Sequence, residues 1–153
     1  MIDSRTQDQP NWRVVTILTW AMLVVAPAVY LIIALFVDAK GMQAPAGNDV
    51  VFYILFVVAL TDPLLAFIIE PSEIGKFKAG KSAAKTAGNL FLTVSIVKMA
   101  MVEAVYIFGL VSYLVTGRLD YMLYFYPLGI LWSYVHWPRR EKFTRLLEEL
   151  NRP

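Results

Sequence analysis

At 153 residues, the chain is 58% hydrophobic and only 17% charged, too apolar for an ordinary soluble domain. A formal charge of +2, with no stripe of interleaved basic and aromatic residues, argues against a nucleic-acid groove. The absence of cysteine excludes disulfides, cysteine-held zinc, iron–sulfur clusters and a lipoprotein anchor.

The charges gather in the ends and links and leave long runs almost free of them, the pattern of a chain that crosses lipid. The first run, Val14 to Val37, has 24 residues and no charge. A helix of about 20 residues spans a hydrocarbon core of ~30 Å, so this run can cross with some tilt. Trp12 and Arg13 mark its start as interfacial anchors do. The run is about twice the length of a signal-peptide core and lacks a small-residue cleavage pattern, which predicts a retained anchor. Pro27 predicts a kink within it.

A polar link follows over 38–49, with Gly41, Pro45 and Gly47. The second run, Val50 to Ile69, is interrupted by Thr61-Asp62-Pro63, and a basic stretch with Lys76, Lys78, Lys81 and Lys85 comes after it. The third run, Asn89 to Thr116, carries Lys98 and Glu103. Gly117 to Asp120 has room for a tight turn only. The fourth run, Tyr121 to Trp137, is crowded with aromatic residues and closed by Pro138. In the tail, Phe143, Leu146, Leu147 and Leu150 fall at helical spacing, which predicts a short amphipathic helix on the membrane surface or against a partner.

The expected fold is therefore an all-α membrane protein, one membrane domain over residues 1–153. Four transmembrane helices, at about 14–37, 50–69, 89–116 and 121–137, form two antiparallel hairpins, with an amphipathic tail at 139–150. Basic residues orient it. With the N-terminus inside, eleven Lys and Arg residues fall on the cytoplasmic side, and only Lys40 and Arg118 fall outside. The positive-inside rule then places both ends in the cytoplasm, most simply at a bacterial inner membrane.

Gly75 to Ser82 fits the phosphate-loop pattern G-x-x-x-x-G-K-S. That loop works between a strand and a helix of a soluble βαβ unit, and here a membrane helix precedes it. Nucleotide binding is not expected. The four loop lysines, with Arg139, Arg140, Phe143 and Leu147, are read instead as contacts to anionic lipid or to a partner.

Three ionisable residues fall inside the runs. An unpaired charge near the bilayer centre costs from ~3 to more than 10 kcal/mol, so each needs a partner or a proton. Asp62 before Pro63 is the signature of a helix start. It predicts a kink with a paired Asp, or a discontinuous helix forming an ion site. Lys98 lies at a similar depth on the neighbouring run, either paired with Asp62 or reaching to the inner headgroups along its own stem. Glu103 lies deeper. It flanks a face made of Ser95, Lys98, Tyr106, Gly109, Tyr113 and Thr116, which should point into protein, and Tyr106 is its expected hydrogen-bond partner. His136, the single histidine, cannot alone make a bis-histidine haem.

Met101-Val102-Glu103-Ala104-Val105-Tyr106-Ile107-Phe108-Gly109-Leu110-Val111 resembles the carboxylate-bearing helix of the proteolipid subunit c of rotary ATP synthases. The resemblance covers about a dozen residues and implies that Glu103 is an ion- or proton-binding carboxylate. The glycine-rich partner helix of that family has no counterpart, since the second run contains no glycine.

The first functional expectation is an accessory, scaffold or assembly subunit of a larger membrane complex, in contact with lipid and with other subunits or copies of itself. The second is a proton- or cation-handling protein using Glu103, Asp62, Lys98 and Tyr106, and the third is a small transporter. No nucleophile–base set or metal-ligand cluster is apparent, so neither an enzyme, a metal nor a cofactor is expected.

Overall fold

A computed structural model describes residues 9–39 and 49–151, the backbone alone at Ala39. Most of the polar link and the extreme ends, including Arg5, Lys40, Gly41, Pro45, Gly47 and Arg152, lie outside the described residues. Every regular element in the described part is helical: α1 (Trp12–Trp20), a π-helical turn (Ala21–Val25), α2 (Ala26–Ala39), α3 (Val50–Lys78), α4 (Ala87–Thr116), α5 (Leu119–His136) and α6 (Arg140–Leu150).

Local chemistry sets the ends. The Asn11 side chain caps α1 by accepting from the Val14 N–H at 3.3 Å, and Thr86 caps α4 by accepting from Asn89 at 3.2 Å. Each satisfies a donor with no partner inside its helix. Gly117 closes α4 at φ +71°, its N–H on the Tyr113 carbonyl at 2.8 Å, a left-handed position that glycine adopts without strain. Pro27 has no N–H to offer the turn before it. The chain answers with the π turn, where the Ala26 N–H reaches back five residues to the Ala21 carbonyl.

Of the two expectations at Asp62–Pro63, a kink or a discontinuous helix, the discontinuity does not occur. α3 runs without interruption from Val50 to Lys78, through both Pro63 and Pro71, and extends nine residues beyond the predicted end at Ile69. A proline removes one backbone donor, which a long, packed helix tolerates when its neighbours hold it in place. Pro63 is buried in the bundle.

Three helical stretches are long and apolar enough to cross a membrane: Trp12–Asp38, Val50–Lys78 and Ala87–Thr116, of 27, 29 and 30 residues. At 1.5 Å per residue, α4 is about 45 Å long, more than the hydrocarbon core requires. α5 occupies the place of the fourth run, but it has 18 residues, and its tyrosines, Pro127 and His136 make it less apolar.

α4 is the hub. All the other helices pack against it, and the face from Ser95 and Lys98 through Tyr106, Gly109, Tyr113 and Thr116 is buried, as its spacing predicts. Contacts with α5 run in opposite order along the two helices: Tyr113 meets Met122, Gly109 meets Phe125, and Tyr106 meets Gly129. A methyl group at Gly129 would fall 2.5 Å from the Tyr106 ring, so only glycine lets the helices approach this closely. The outward faces are apolar, with Ile17, Ile32 and Phe36 on the first span and Tyr53, Ile54 and Ile68 on α3 exposed.

The apolar face of α6 turns inward. Phe143 and Leu146 are buried against Ile74, Leu90, Phe91 and Val94 from α3 and α4. Phe143 packs edge-on to Trp12 at 6.2 Å. The amphipathic tail thus finds its apolar partner within this chain.

Candidate functional site

The polar groups within the spans converge on α4. Glu103 is half-buried and accepts a hydrogen bond at 2.7 Å from the hydroxyl of Tyr30 on α2. The expected partner, Tyr106, points elsewhere: its hydroxyl lies 3.3 Å from Ser133 Oγ on α5. Tyr106 is three residues on from Glu103, but its ring is taken up by α5, edge-on to Tyr126 at 5.3 Å. Tyr126 in turn donates to the Pro27 carbonyl at 2.8 Å. Two tyrosines therefore tie α2 into the bundle, Tyr30 through a side chain of α4 and Tyr126 from α5 through the carbonyl at the proline.

Lys98 is ion-paired with Glu70, not with Asp62. Glu70 lies eight residues beyond Asp62 on the same helix, about 12 Å further toward its C-terminal end. The α4 register places Lys98 near that end, where its ammonium meets the Glu70 carboxylate. Asp62 is partly buried and takes no part in the Lys98 pair.

The basic residues distribute differently. Lys76, Lys78, Lys81 and Lys85 are all exposed, and Lys76 pairs with Glu73 at 2.6 Å. Gly75 to Ser82 spans the last turn of α3 and the bend at Gly80. No strand precedes it among the described residues, so the backbone amides do not form a phosphate loop. Arg139 and Arg140 lie over the rings of Tyr134 and Trp12, at 5.0 Å and 5.6 Å. Leu147 is partly buried beside Phe143.

Sequence reading missed Tyr30, Glu70 and Ser133. Tyr30 carried a usable signal, since it is the one tyrosine in a charge-free run of 24 residues and a buried hydroxyl needs a partner. Glu70 lies one residue beyond the expected end of the second run at Ile69.

Comparisons with known protein families, with curated proteins and with solved structures gave no match. Function must therefore be read from these contacts. Chemically, the arrangement can clamp helices together, and it can hold a proton on the Glu103–Tyr30 pair. Tyr30→Phe removes that hydrogen bond and leaves Glu103 short of a donor. It should lower stability by about 1–3 kcal/mol, measured as a fall in the thermal midpoint of the detergent-purified protein. Glu103→Gln keeps an acceptor for Tyr30 and should fall well short of that loss.

Proposed function

We propose that this chain is a four-span integral membrane protein, built from two antiparallel hairpins with both ends cytoplasmic. It serves as an accessory, scaffold or assembly subunit of a larger complex in a bacterial inner membrane. In this reading α5 is the fourth span, made acceptable to lipid by burial of Tyr121, Phe125, Ser133 and His136 within the bundle. The observation that supports the reading best is the way α4 uses its polar groups. Lys98 is held by Glu70, Glu103 by Tyr30 and Tyr106 by Ser133. Each contact joins two different helices, so these side chains act as ties. The wide apolar faces of the first span and α3 remain available to lipid and to neighbouring subunits.

A pull-down from native membranes in mild detergent, read by mass spectrometry, tests this. Defined membrane subunits should co-purify in fixed ratio, and the chain should be less stable when isolated.

A second reading rests on Glu103 itself. It is only half-buried, and its surroundings resemble the subunit c carboxylate helix, so it is the candidate for proton or cation handling. Reconstitution separates the two: an ion carrier moves protons or cations in liposomes on its own, whereas an accessory subunit does not. Glu103→Gln should abolish any such flux while leaving assembly intact.

A further inference from the structure

Where α3, α5 and α6 meet, the structure opens a cleft of about 390 Å³, within the size range of small-ligand sites. One wall is apolar, with Phe67, Pro71, Ile74, Val135 and Leu146. The other is charged. Lys98, Lys142 and Arg145 line it together with the carboxylates of Glu70 and Glu149. Lys98 and Glu70 form an ion pair, and Glu70 also acts on Lys142; with Arg145 and exposed Glu149 included, the lining holds three cations against two carboxylates.

Three observations indicate an anion here. First, the Lys142 ammonium is half-buried and donates to the Val135 carbonyl at 2.7 Å. Burial, followed by the nearby cations Lys98 and Arg139, pushes its pKa below the ordinary lysine range. Such a group gains from an added negative charge. Second, Arg145 is exposed and joins no ion pair among the described residues, leaving its planar donors free for a tetrahedral oxyanion. Third, His136 lines the same cleft at 3% exposure, and its Nε2 has no hydrogen-bond partner among the described residues. A buried polar atom of this kind needs a partner. Its ring is fixed by Trp132, stacked at 5.7 Å, and by Phe67 at 5.2 Å.

We infer that this cleft binds a phosphate group, with Lys142 and Arg145 as its charged donors and His136 Nε2 as a buried polar contact. The Pro63 carbonyl accepts from the His136 ring, so Nε2 presents a lone pair that accepts from a hydroxyl of phosphate or of its ester. A phospholipid headgroup and free phosphate both supply this chemistry. The apolar wall, continuous with the exposed Phe67, suits the first part of an acyl chain. The lipid source rests on the proposed membrane placement; the phosphate site itself does not.

The test has two arms, run on the full chain, on Lys142→Gln/Arg145→Gln, and on Arg145→Gln alone, an exposed position that should not disturb folding. The control is Lys78→Gln/Lys81→Gln/Lys85→Gln, which removes diffuse basic charge away from the cleft. In the lipid arm, protein from nanodiscs of phosphatidylglycerol and phosphatidylcholine is examined by native mass spectrometry. About one phosphatidylglycerol per chain should be retained. Retention should fall about tenfold in the double variant, fall measurably in Arg145→Gln, and persist in the control. In the second arm, inorganic phosphate is titrated into delipidated protein. A rise in thermal midpoint that the double variant lacks, without lipid retention, supports the phosphate site and assigns it to a soluble ligand. Equal lipid retention and equal phosphate response in the parent and the double variant would overturn the inference. Recovery of the chain from the soluble fraction would instead refute the membrane placement, and the phosphate arm would still decide the site.

Discussion

Replacing Glu70 with glutamine should cost the protein about 2 kcal/mol of stability and should cost more than removing its partner. The two sides of the Lys98–Glu70 pair are unequally placed: the Lys98 side chain is 11% exposed, and that of Glu70 is 37% exposed. Breaking a buried pair from one side costs about 3–5 kcal/mol, because the surviving charge is left in a poor medium. The access of Glu70 to water reduces this to about 2 kcal/mol. In Glu70→Gln the stranded charge is the buried ammonium, which must also face Lys142 and Arg145 across the cleft. In Lys98→Met the stranded charge is the carboxylate, which reaches water. Denaturation in detergent should therefore rank Glu70→Gln below Lys98→Met, and the double variant should recover most of the loss. Additive losses would mean that the pair does not interact. Asp62→Asn should leave this coupling untouched.

Gly129→Ala should be as damaging, by a different mechanism, and Gly129→Val worse. A Cβ at Gly129 lies 2.5 to 2.9 Å from three atoms of the Tyr106 ring, well inside contact distance. The ring is 2% exposed, faces Tyr126, and has its hydroxyl near Ser133, so it can move only by giving up those contacts. Overpacking by a single methyl costs about 1–3 kcal/mol, and a rigid neighbour places this site at the upper end. Gly109→Ala should be milder, because its nearest neighbour is the Phe125 Cβ at 3.0 Å. The check is the thermal midpoint of each variant. Tyr106→Leu, which removes the colliding ring atoms, should recover part of the Gly129→Ala loss.

Much of the scaffold was legible in the sequence, for a physical reason. Lipid imposes long uncharged runs, and Gly117 at the tight turn and Pro138 after the fourth run mark where runs end. The polar face of α4 could be traced from 3.6-residue spacing alone, from Ser95 to Thr116. Which residue meets which could not, because partners depend on the relative register of two helices, and register is fixed by side-chain packing along their whole length. Two missed assignments share that origin. Pairing of Lys98 with Asp62, one of two expectations, assumed that the second run ended at Ile69, and α3 instead continues through Glu70. Glu103 was matched to Tyr106 on its own helix, while a hydroxyl from α2 was better placed. The discontinuous-helix alternative at Pro63 also failed. Sequence gives the loss of one donor, but not the packing that carries α3 through it.

A four-span bundle with α4 at its centre and both ends cytoplasmic, as proposed above, depends most on whether α5 crosses the membrane. The absence of native cysteine makes the measurement clean. Single cysteines at Asp49, Ser82, Arg118 and Asn151 are labelled in intact cells with a membrane-impermeant maleimide, before and after permeabilisation. A four-span chain should label immediately at Asp49→Cys and Arg118→Cys, and at Ser82→Cys and Asn151→Cys only after the membrane is opened. Labelling of Asn151→Cys from outside, with Arg118→Cys also external, would show that α5 does not cross and would contradict the four-span fold.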